Sequence, residues 1–202
     1  MRGFDEVALV LASTLLTLGA SGCGGSPTGS SAVRADPPFQ ATRSAGGGHT
    51  SPCRQPMPSA ALEVPAGNEL ELQLGAVGVQ IYTCTSTATG MAWVFTAPEA
   101  TLYEQREEVA GTHYAGPTWE ALDGSTVVAA RAAAATPDPT AIPWLLLRAV
   151  SHGGAGTMSR VTYVQRVATT GGLAPSSGCD AAAVGTVSRV PYTATYCFSE
   201  AD

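Results

Sequence analysis

The feature that most constrains the fold is a series of short runs in which apolar and polar residues alternate. In residues 69–74 three leucines, Leu70, Leu72 and Leu74, are predicted to point inward, with polar residues between them. A period of two is the pattern of a half-buried β-strand. Similar apolar or alternating runs occupy residues 77–84, 91–96, 125–131, 144–150, 158–169, 184–190 and 192–198. The pattern predicts an all-β fold, an antiparallel β-sandwich or barrel-like domain of eight to ten strands with few short helices.

Two segments are the candidates for those helices. Residues 98–108 begin with Pro98 and Glu99, which are favoured in the first turn of a helix. The alanine-rich residues 129–135, which end before Pro137, are the alternative. Because the chain holds 23 Gly and 14 Pro and lacks long stretches of helical periodicity, a helical bundle is excluded.

The charge of the chain excludes nucleic acid as a partner. Its basic residues are ten Arg against sixteen Asp and Glu, for a net charge of −6, and they form no cluster. Binding to phosphates needs clustered Lys or Arg. The acidic excess lies in residues 53–202, which carry thirteen acidic residues and seven Arg.

The first thirty residues predict export. Residues 7–19 form an uncharged, mostly apolar stretch of 13 residues, which is too short to span a bilayer and suits the core of a signal peptide. The sequence Ala20-Ser21-Gly22-Cys23 follows, and small residues before a Cys resemble the cleavage site of bacterial lipoproteins, where the Cys carries the lipid. We therefore expect a lipoprotein-type signal peptide over residues 1–22 and lipidation of Cys23. The alternative is an ordinary signal peptide cut near Ala20.

A flexible tether is predicted between this anchor and one folded domain. Residues 23–52 are mostly Gly, Ser, Pro, Thr and Ala, a composition that buries too little apolar surface to offset its ordering entropy. Residues 53–202 are then a single β-rich domain. We expect it to be extracytoplasmic and tied through the lipid to the membrane of the cell envelope. Gly24 rather than Asp follows Cys23, which favours the outer membrane or cell surface.

Four cysteines remain in the domain, and an even number in an exported domain predicts two disulfides. Three pairings of Cys53, Cys84, Cys179 and Cys197 can be drawn. We favour Cys53–Cys197 with Cys84–Cys179, because the ends of a compact domain are often close together. None of these cysteines has the spacing of a metal site, and we expect neither a metal nor a cofactor.

A series of longer motifs resembles one protein family. In chain order the motifs are GVQIYTC (78–84), WVFTAPEATL (93–102), GTHYAGPTWEALDGS (111–125), AIPWLLLRA (141–149), VQRVATTGGLAP (164–175) and VPYTATY (190–196). Over roughly residues 62–198 they resemble a family of secreted bacterial and fungal proteins catalogued as the domain of unknown function DUF3455. The resemblance implies no established activity.

The third of these motifs is the most distinctive segment for function, because it concentrates aromatic and ionisable residues between glycines and prolines. In one interpretation His113 is a general base or ligand that Glu120 or Asp123 orients. Tyr114 and Trp119 would then contact the bound molecule.

The same segment has a structural interpretation, which we favour. Gly116-Pro117 makes a turn, Trp119 fills the core, and Asp123-Gly124 closes a hairpin. Outside this segment, Arg160 and Arg166 share a strand face and could hold an anion, although pairing with Glu on an adjacent strand is favoured.

The function that these residues support best is a lipid-anchored extracytoplasmic module that binds a small molecule, a glycan or a protein and does not catalyse. No GxSxG motif that would carry a serine nucleophile is present. The alternative is a small extracytoplasmic hydrolase centred on His113 with Glu120 or Asp123.

Overall fold

The computed structural model describes residues 51–104 and 107–202. Eight antiparallel strands follow one another around a closed barrel, in which the last strand pairs with the first. The strands are β1 (Asn68–Thr87), β2 (Gly90–Tyr103), β3 (Val109–Tyr114), β4 (Thr118–Ala121), β5 (Thr126–Ala135), β6 (Trp144–Gly153), β7 (Val161–Gly171) and β8 (Val187–Ala201). The all-β prediction is confirmed, and of its two architectures the barrel is the one that forms.

Two short 3-10 helices, Pro52–Arg54 and Ala60–Leu62, precede the barrel. Leu62 is buried, and its carbonyl accepts a hydrogen bond of 2.7 Å from Nε2 of Gln165. The leading segment is therefore fastened to the outside of β7. Within the described ranges no helix is long and apolar enough to cross a membrane. The predictions for residues 1–22, for Cys23 and for the tether up to residue 50 lie outside the described residues.

Several predicted strands are joined into longer ones. Residues 69–74 and 77–84 both belong to β1, and residues 184–198 fall largely in β8, which continues through Pro191. Gly78 lies within β1 where β2 passes very close, and a Cβ there would collide with the Glu99 carbonyl and the Ala100 side chain. Gly78, which lies within the predicted strand 77–84, is thus a point of close strand approach.

The prediction of a helix over 98–108 is wrong, and so is the helical alternative for 129–135. Residues 98–103 complete β2, where Ala100 and Leu102 are buried in the core, and residues 129–135 lie in β5. Pairing with strands on both sides satisfies the backbone of these residues, and this tertiary context overrides their helical propensity.

The interior of the barrel is filled by side chains from every strand. Its largest fully buried side chains include Trp119, Tyr196, Phe198, Leu74 and Leu102. The rings of Trp119, Tyr196 and Phe198 contact one another edge to face or tilted, with centroids 5.3 to 6.4 Å apart. Such pairs add to the stability that burial of their area supplies.

Two disulfides are present, Cys53–Cys197 and Cys84–Cys179. They are the pairing favoured from the sequence. The first fastens the leading segment to β8, and the second fastens β1 to the segment between β7 and β8. Disulfides persist in oxidising compartments, so both bridges are consistent with an extracytoplasmic location.

Candidate functional site

The structure separates the residues of the predicted His113 site. His113 and Trp119 are partners in the β3–β4 ladder and face the barrel interior. Neighbouring residues of a strand point to opposite faces, so Tyr114 and Glu120 face outward, where the Tyr114 hydroxyl donates a 2.8 Å hydrogen bond to the Glu120 carboxylate. This bond raises the pKa of Tyr114. Glu120 therefore does not orient His113.

Asp123 lies in the turn between β4 and β5 and serves that turn. One carboxylate oxygen accepts bonds from the backbone N–H and hydroxyl of Ser125, at 2.8 and 2.5 Å. The other accepts bonds from the backbone N–H and hydroxyl of Thr157, both 2.8 Å. These four bonds favour the ionised form and hold the pKa of Asp123 well below its ordinary value. His113 is not among its partners, so the three candidates do not form one site.

We expect Asp123→Ala to lower the melting temperature, because it removes two hydrogen bonds within this turn, to Ser125, and two that join the turn to Thr157 in the segment preceding β7. Asp123→Asn keeps one acceptor oxygen but replaces the other with a donor and loses the charge, so its melting temperature should lie between those of wild type and Asp123→Ala. Because the folded pKa is depressed, the contribution of Asp123 is full above its unfolded pKa and is lost as the pH falls through the folded pKa. Equal melting temperatures for wild type and Asp123→Ala at neutral pH would contradict this assignment.

A cavity of about 200 Å³ lies inside the barrel at the end near the β3–β4 turn. Residues from seven of the eight strands or their turns line it, which only the interior of a closed barrel allows. Its mouth includes the exposed residues Phe95, Thr96 and Pro117, and its walls are mainly apolar. The polar side chains that line it deeper in the barrel are Gln80, His113, Trp119, Arg166 and Tyr196.

Two of these side chains hold polar hydrogens that meet no acceptor. Nε2 of Gln80 and Nε1 of Trp119 have no hydrogen-bond partner among the described residues, although the side chains are only 2% and 1% exposed. Gln80 does lie close enough to Tyr192 to lower the pKa of that hydroxyl. A buried donor without an acceptor costs about 1–3 kcal/mol. Both residues line the cavity, where a bound molecule could supply the missing acceptor.

Arg166 is the positively charged residue among those that line the cavity. Its Nε and Nη2 donate to the backbone carbonyl of Pro143 at 3.1 and 2.8 Å, and its charge acts on Tyr82, His113, Tyr192 and Tyr196. None of the described residues that line the cavity is Asp or Glu. The guanidinium therefore faces a cavity without a carboxylate.

His113 is held neutral at the wall of this cavity. Burial is the main cause that lowers the pKa of His113 to about 3, and the Arg166 charge adds to it. Nδ1 lies 2.8 Å from the Thr118 carbonyl, and since a carbonyl accepts, Nδ1 carries the proton and Nε2 is left as an acceptor. The ring stacks on Trp119 with centroids 4.4 Å apart. His113 is thus a neutral side chain held in one orientation in the wall of the cavity.

We expect the free energy of unfolding to fall as the pH drops below the unfolded pKa of histidine. In this range the unfolded chain binds a proton at His113, whereas the folded protein keeps the ring neutral. The window runs from 6.5 to about 3, with a slope of about 1.4 kcal/mol per pH unit. Between pH 7 and 5 the loss is about 2 kcal/mol. Urea unfolding at several pH values measures it. His113→Asn, which keeps a donor for Thr118 but does not titrate, should show a flatter profile, and parallel profiles would refute the assignment.

Sequence reasoning missed Gln80 as a site residue and favoured a carboxylate partner for Arg166. Carboxylate partners were predicted for both Arg160 and Arg166. Arg160 does pair with Glu200, at 2.9 Å, whereas the Arg166 side chain lines the cavity inside the barrel. The sequence shows that Gln80 alternates with Tyr82 and Arg166 with Val164 on a strand face, but only the structure shows that these faces are buried. Polar residues on a core face indicate a lined cavity.

Of the two residues predicted to contact a ligand, the structure places Trp119 at the cavity and Tyr114 on the outside. In the described part of the chain, no group of three or more His, Cys, Asp or Glu residues could hold a metal ion. The arrangement can therefore bind through one cation, neutral donors, one acceptor and apolar walls.

Comparison with known proteins matches the chain to a protein family. The model of the family described as Protein of unknown function (DUF3455) matches residues 65–200, which run from just before β1 to the penultimate residue of β8. No curated protein and no solved structure matches the chain significantly.

Proposed function

Because the chain belongs to the DUF3455 family of proteins of unknown function, its activity has to be argued from its own site, and we propose that it is an exported module that binds a small molecule inside the barrel. The observation that carries this proposal is the cavity with unpartnered buried donors at Gln80 and Trp119. Native proteins leave few buried polar groups without a partner, and those few call for an explanation. A bound ligand explains both donors at once.

The size of the cavity limits the ligand. A volume of about 200 Å³ holds roughly six or seven water molecules at about 30 Å³ each. It is smaller than the sites of drug-sized ligands, which begin at about 300 Å³. The proposal therefore favours a small molecule over an oligosaccharide or a protein segment.

The position of His113 supports a protein that binds its ligand without catalysis. A general base needs a partner that orients it and a pKa near the working pH, but Glu120 and Asp123 are bonded elsewhere and the pKa of His113 is about 3. The hydrolase alternative would need another base. No observation on the cavity favours one.

The location belongs to the same proposal. The two disulfides support an oxidising compartment, and the Ala20-Ser21-Gly22-Cys23 sequence supports a lipid on Cys23 and a place in the cell envelope. Mass spectrometry of the N-terminus of the mature protein tests the anchor. An N-terminus at a lipidated Cys23 is expected, and an unmodified N-terminus at any position refutes lipidation.

A screen of small molecules, with monosaccharides included, tests binding in the cavity. The full-length protein, exported and oxidised, is the sample, and the shift in melting temperature is the measurement. Thr96→Phe should abolish the shifts, because Thr96 is exposed at the mouth and a phenyl ring there closes it. Thr112→Phe is the matched control on the outer face of β3. Ligands that bind Thr96→Phe as well as wild type would place binding elsewhere.

A further inference from the structure

We infer that the molecule bound in the barrel is a small monocarboxylate, with its carboxylate on Arg166 and an apolar body against the mouth of the cavity. This inference rests on the proposed binding function and names the class of its ligand. Three independent features support it: the free donors of Arg166, the missing counter-charge, and the apolar walls.

The first feature is the geometry of the guanidinium. Arginine has five N–H donors, of which Arg166 uses one on Nε and one on Nη2 for the Pro143 carbonyl. Nη1 and the second N–H of Nη2 form the end of the fork, which is the edge that binds a carboxylate with two parallel bonds. The Tyr196 hydroxyl lies near enough to interact with Arg166, but it is neutral and cannot replace an anion.

The second feature is the balance of charge. The two other arginines with close partners sit on the outside and have carboxylates, Arg160 with Glu200 and Arg189 with Glu99. Arg166 is partly buried, and the salt bridges of the described residues do not include it. Burial of a charge is costly unless it is paired. The cavity is thus the place in an acidic domain where an anion is missing.

The titratable groups around Arg166 do not supply that anion. The hydroxyls of Tyr82, Tyr192 and Tyr196 have raised pKa values because they are buried, and His113 has a lowered one. All four are neutral at neutral pH. At neutral pH none of these four groups is therefore an anionic neighbour of the guanidinium.

The third feature is the remainder of the wall. Phe95, Pro98, Leu145 and Leu147 line the cavity on its apolar side, and Phe95 is half exposed at the mouth. A ligand that is only a charged group would leave this surface in contact with water. An apolar body of a few carbon atoms would cover it and gain about 25 cal/mol per Å² buried.

One charge favours a monoanion over a dianion. A dianionic phosphate has one negative charge more than Arg166 neutralises, and it would bind in a domain that already carries a net charge of −6. A carboxylate matches both the charge and the fork. A carboxylate oxygen in the cavity would also be the acceptor that Gln80 Nε2 and Trp119 Nε1 lack.

Calorimetric titration of the full-length oxidised protein tests the ligand class. The probes are benzoate and hexanoate, their uncharged amides benzamide and hexanamide, and inorganic phosphate, all at millimolar concentration. We expect the carboxylates to bind at least about tenfold more tightly than the amides, which is 1.4 kcal/mol or more. Phosphate should bind more weakly than either carboxylate.

Variants of Arg166, in β7, and of Arg160, which lies just before that strand, provide the matched pair. Arg166→Met should weaken carboxylate binding at least about tenfold and leave amide binding within twofold, as expected for the loss of a charged anchor. Arg166→Lys should recover part of the affinity and so shows that the site still folds. Arg160→Met removes the same charge from the surface and should leave the affinities for carboxylates and amides unchanged.

The outcomes separate the inference from the function on which it rests. Equal binding of amides and carboxylates that Thr96→Phe abolishes overturns the carboxylate and keeps the binding cavity. Tighter binding of phosphate than of carboxylates also overturns it, in favour of a phosphorylated ligand. If no carboxylate binds, the inference fails, and if no compound of the wider screen depends on Thr96, the proposed function fails as well.

Discussion

Removal of the Cys53–Cys197 disulfide by Cys53→Ala with Cys197→Ala is expected to lower the free energy of unfolding by about 4–5 kcal/mol. The bridge joins residues 144 apart in the chain, and in the chain-entropy account a loop of that length is worth about 5 kcal/mol. Domains of this size have about 5–15 kcal/mol in total. Unfolding in guanidinium chloride, followed by tryptophan fluorescence, measures the loss.

The second disulfide serves as the comparison. Cys84–Cys179 spans 95 residues, for which the same account gives about 4.7 kcal/mol. Alanine at both positions should therefore cost nearly as much as removal of the first bridge. Reducing agent should destabilise each double variant further through the bridge that it retains. An unchanged midpoint after loss of either bridge would show that the remaining contacts hold those segments alone.

The second large effect is expected at Trp119. Trp119→Ala should lower the free energy of unfolding by about 3–5 kcal/mol, the usual cost of removing a buried tryptophan. The indole is 1% exposed, stacks on His113 and meets the edges of Tyr196 and Phe198. Its removal takes one aromatic partner from each of those rings and enlarges the cavity.

Trp119→Phe distinguishes the ring from its N–H. Phenylalanine retains an aromatic ring in the stack and deletes a donor that has no partner in the barrel, so its cost should be less than half that of alanine. If Nε1 serves the ligand, the same variant should also bind the ligand more weakly than wild type. Equal losses for alanine and phenylalanine would mean that the stack contributes little.

The local character of the chain could be predicted to a large extent from the sequence. The alternation in residues 69–74 and 158–169 predicts strands, because a period of two has no other common structural cause. The strand ends could not be predicted. Residues 69–74 and 77–84 are predicted as two strands but form one, β1, and only the position of β2 shows that Gly78 within it admits a close neighbour.

The helix over 98–108 failed for a related reason. Pro98 and Glu99 are favoured at the start of a helix, but Ala100 and Leu102 alternate with exposed residues and pack into the core of the barrel. Local preference at two positions was weaker than pairing with strands on both sides. Such competition is decided by tertiary contacts, which a single chain segment does not contain.

The candidate site was predictable only in part. His113 and Trp119 were identified from their segment, and both line the cavity. Glu120 was placed with them because it is close in sequence, although a strand turns adjacent side chains to opposite faces. Gln80 and Arg166 come from distant strands, and nothing local indicates that they meet.

By itself, the sequence determined that the chain forms antiparallel strands and that four cysteines would pair, because alternation and cysteine number are properties of the chain alone. Only the tertiary structure decided which face of each strand is inside. In β1 the apolar Val77, Val79 and Ile81 turn outward while Gln80 is buried. The physical reason is closure: when β8 pairs with β1, one face of every strand encloses a single interior, and Gln80 and Arg166 are brought to the same cavity.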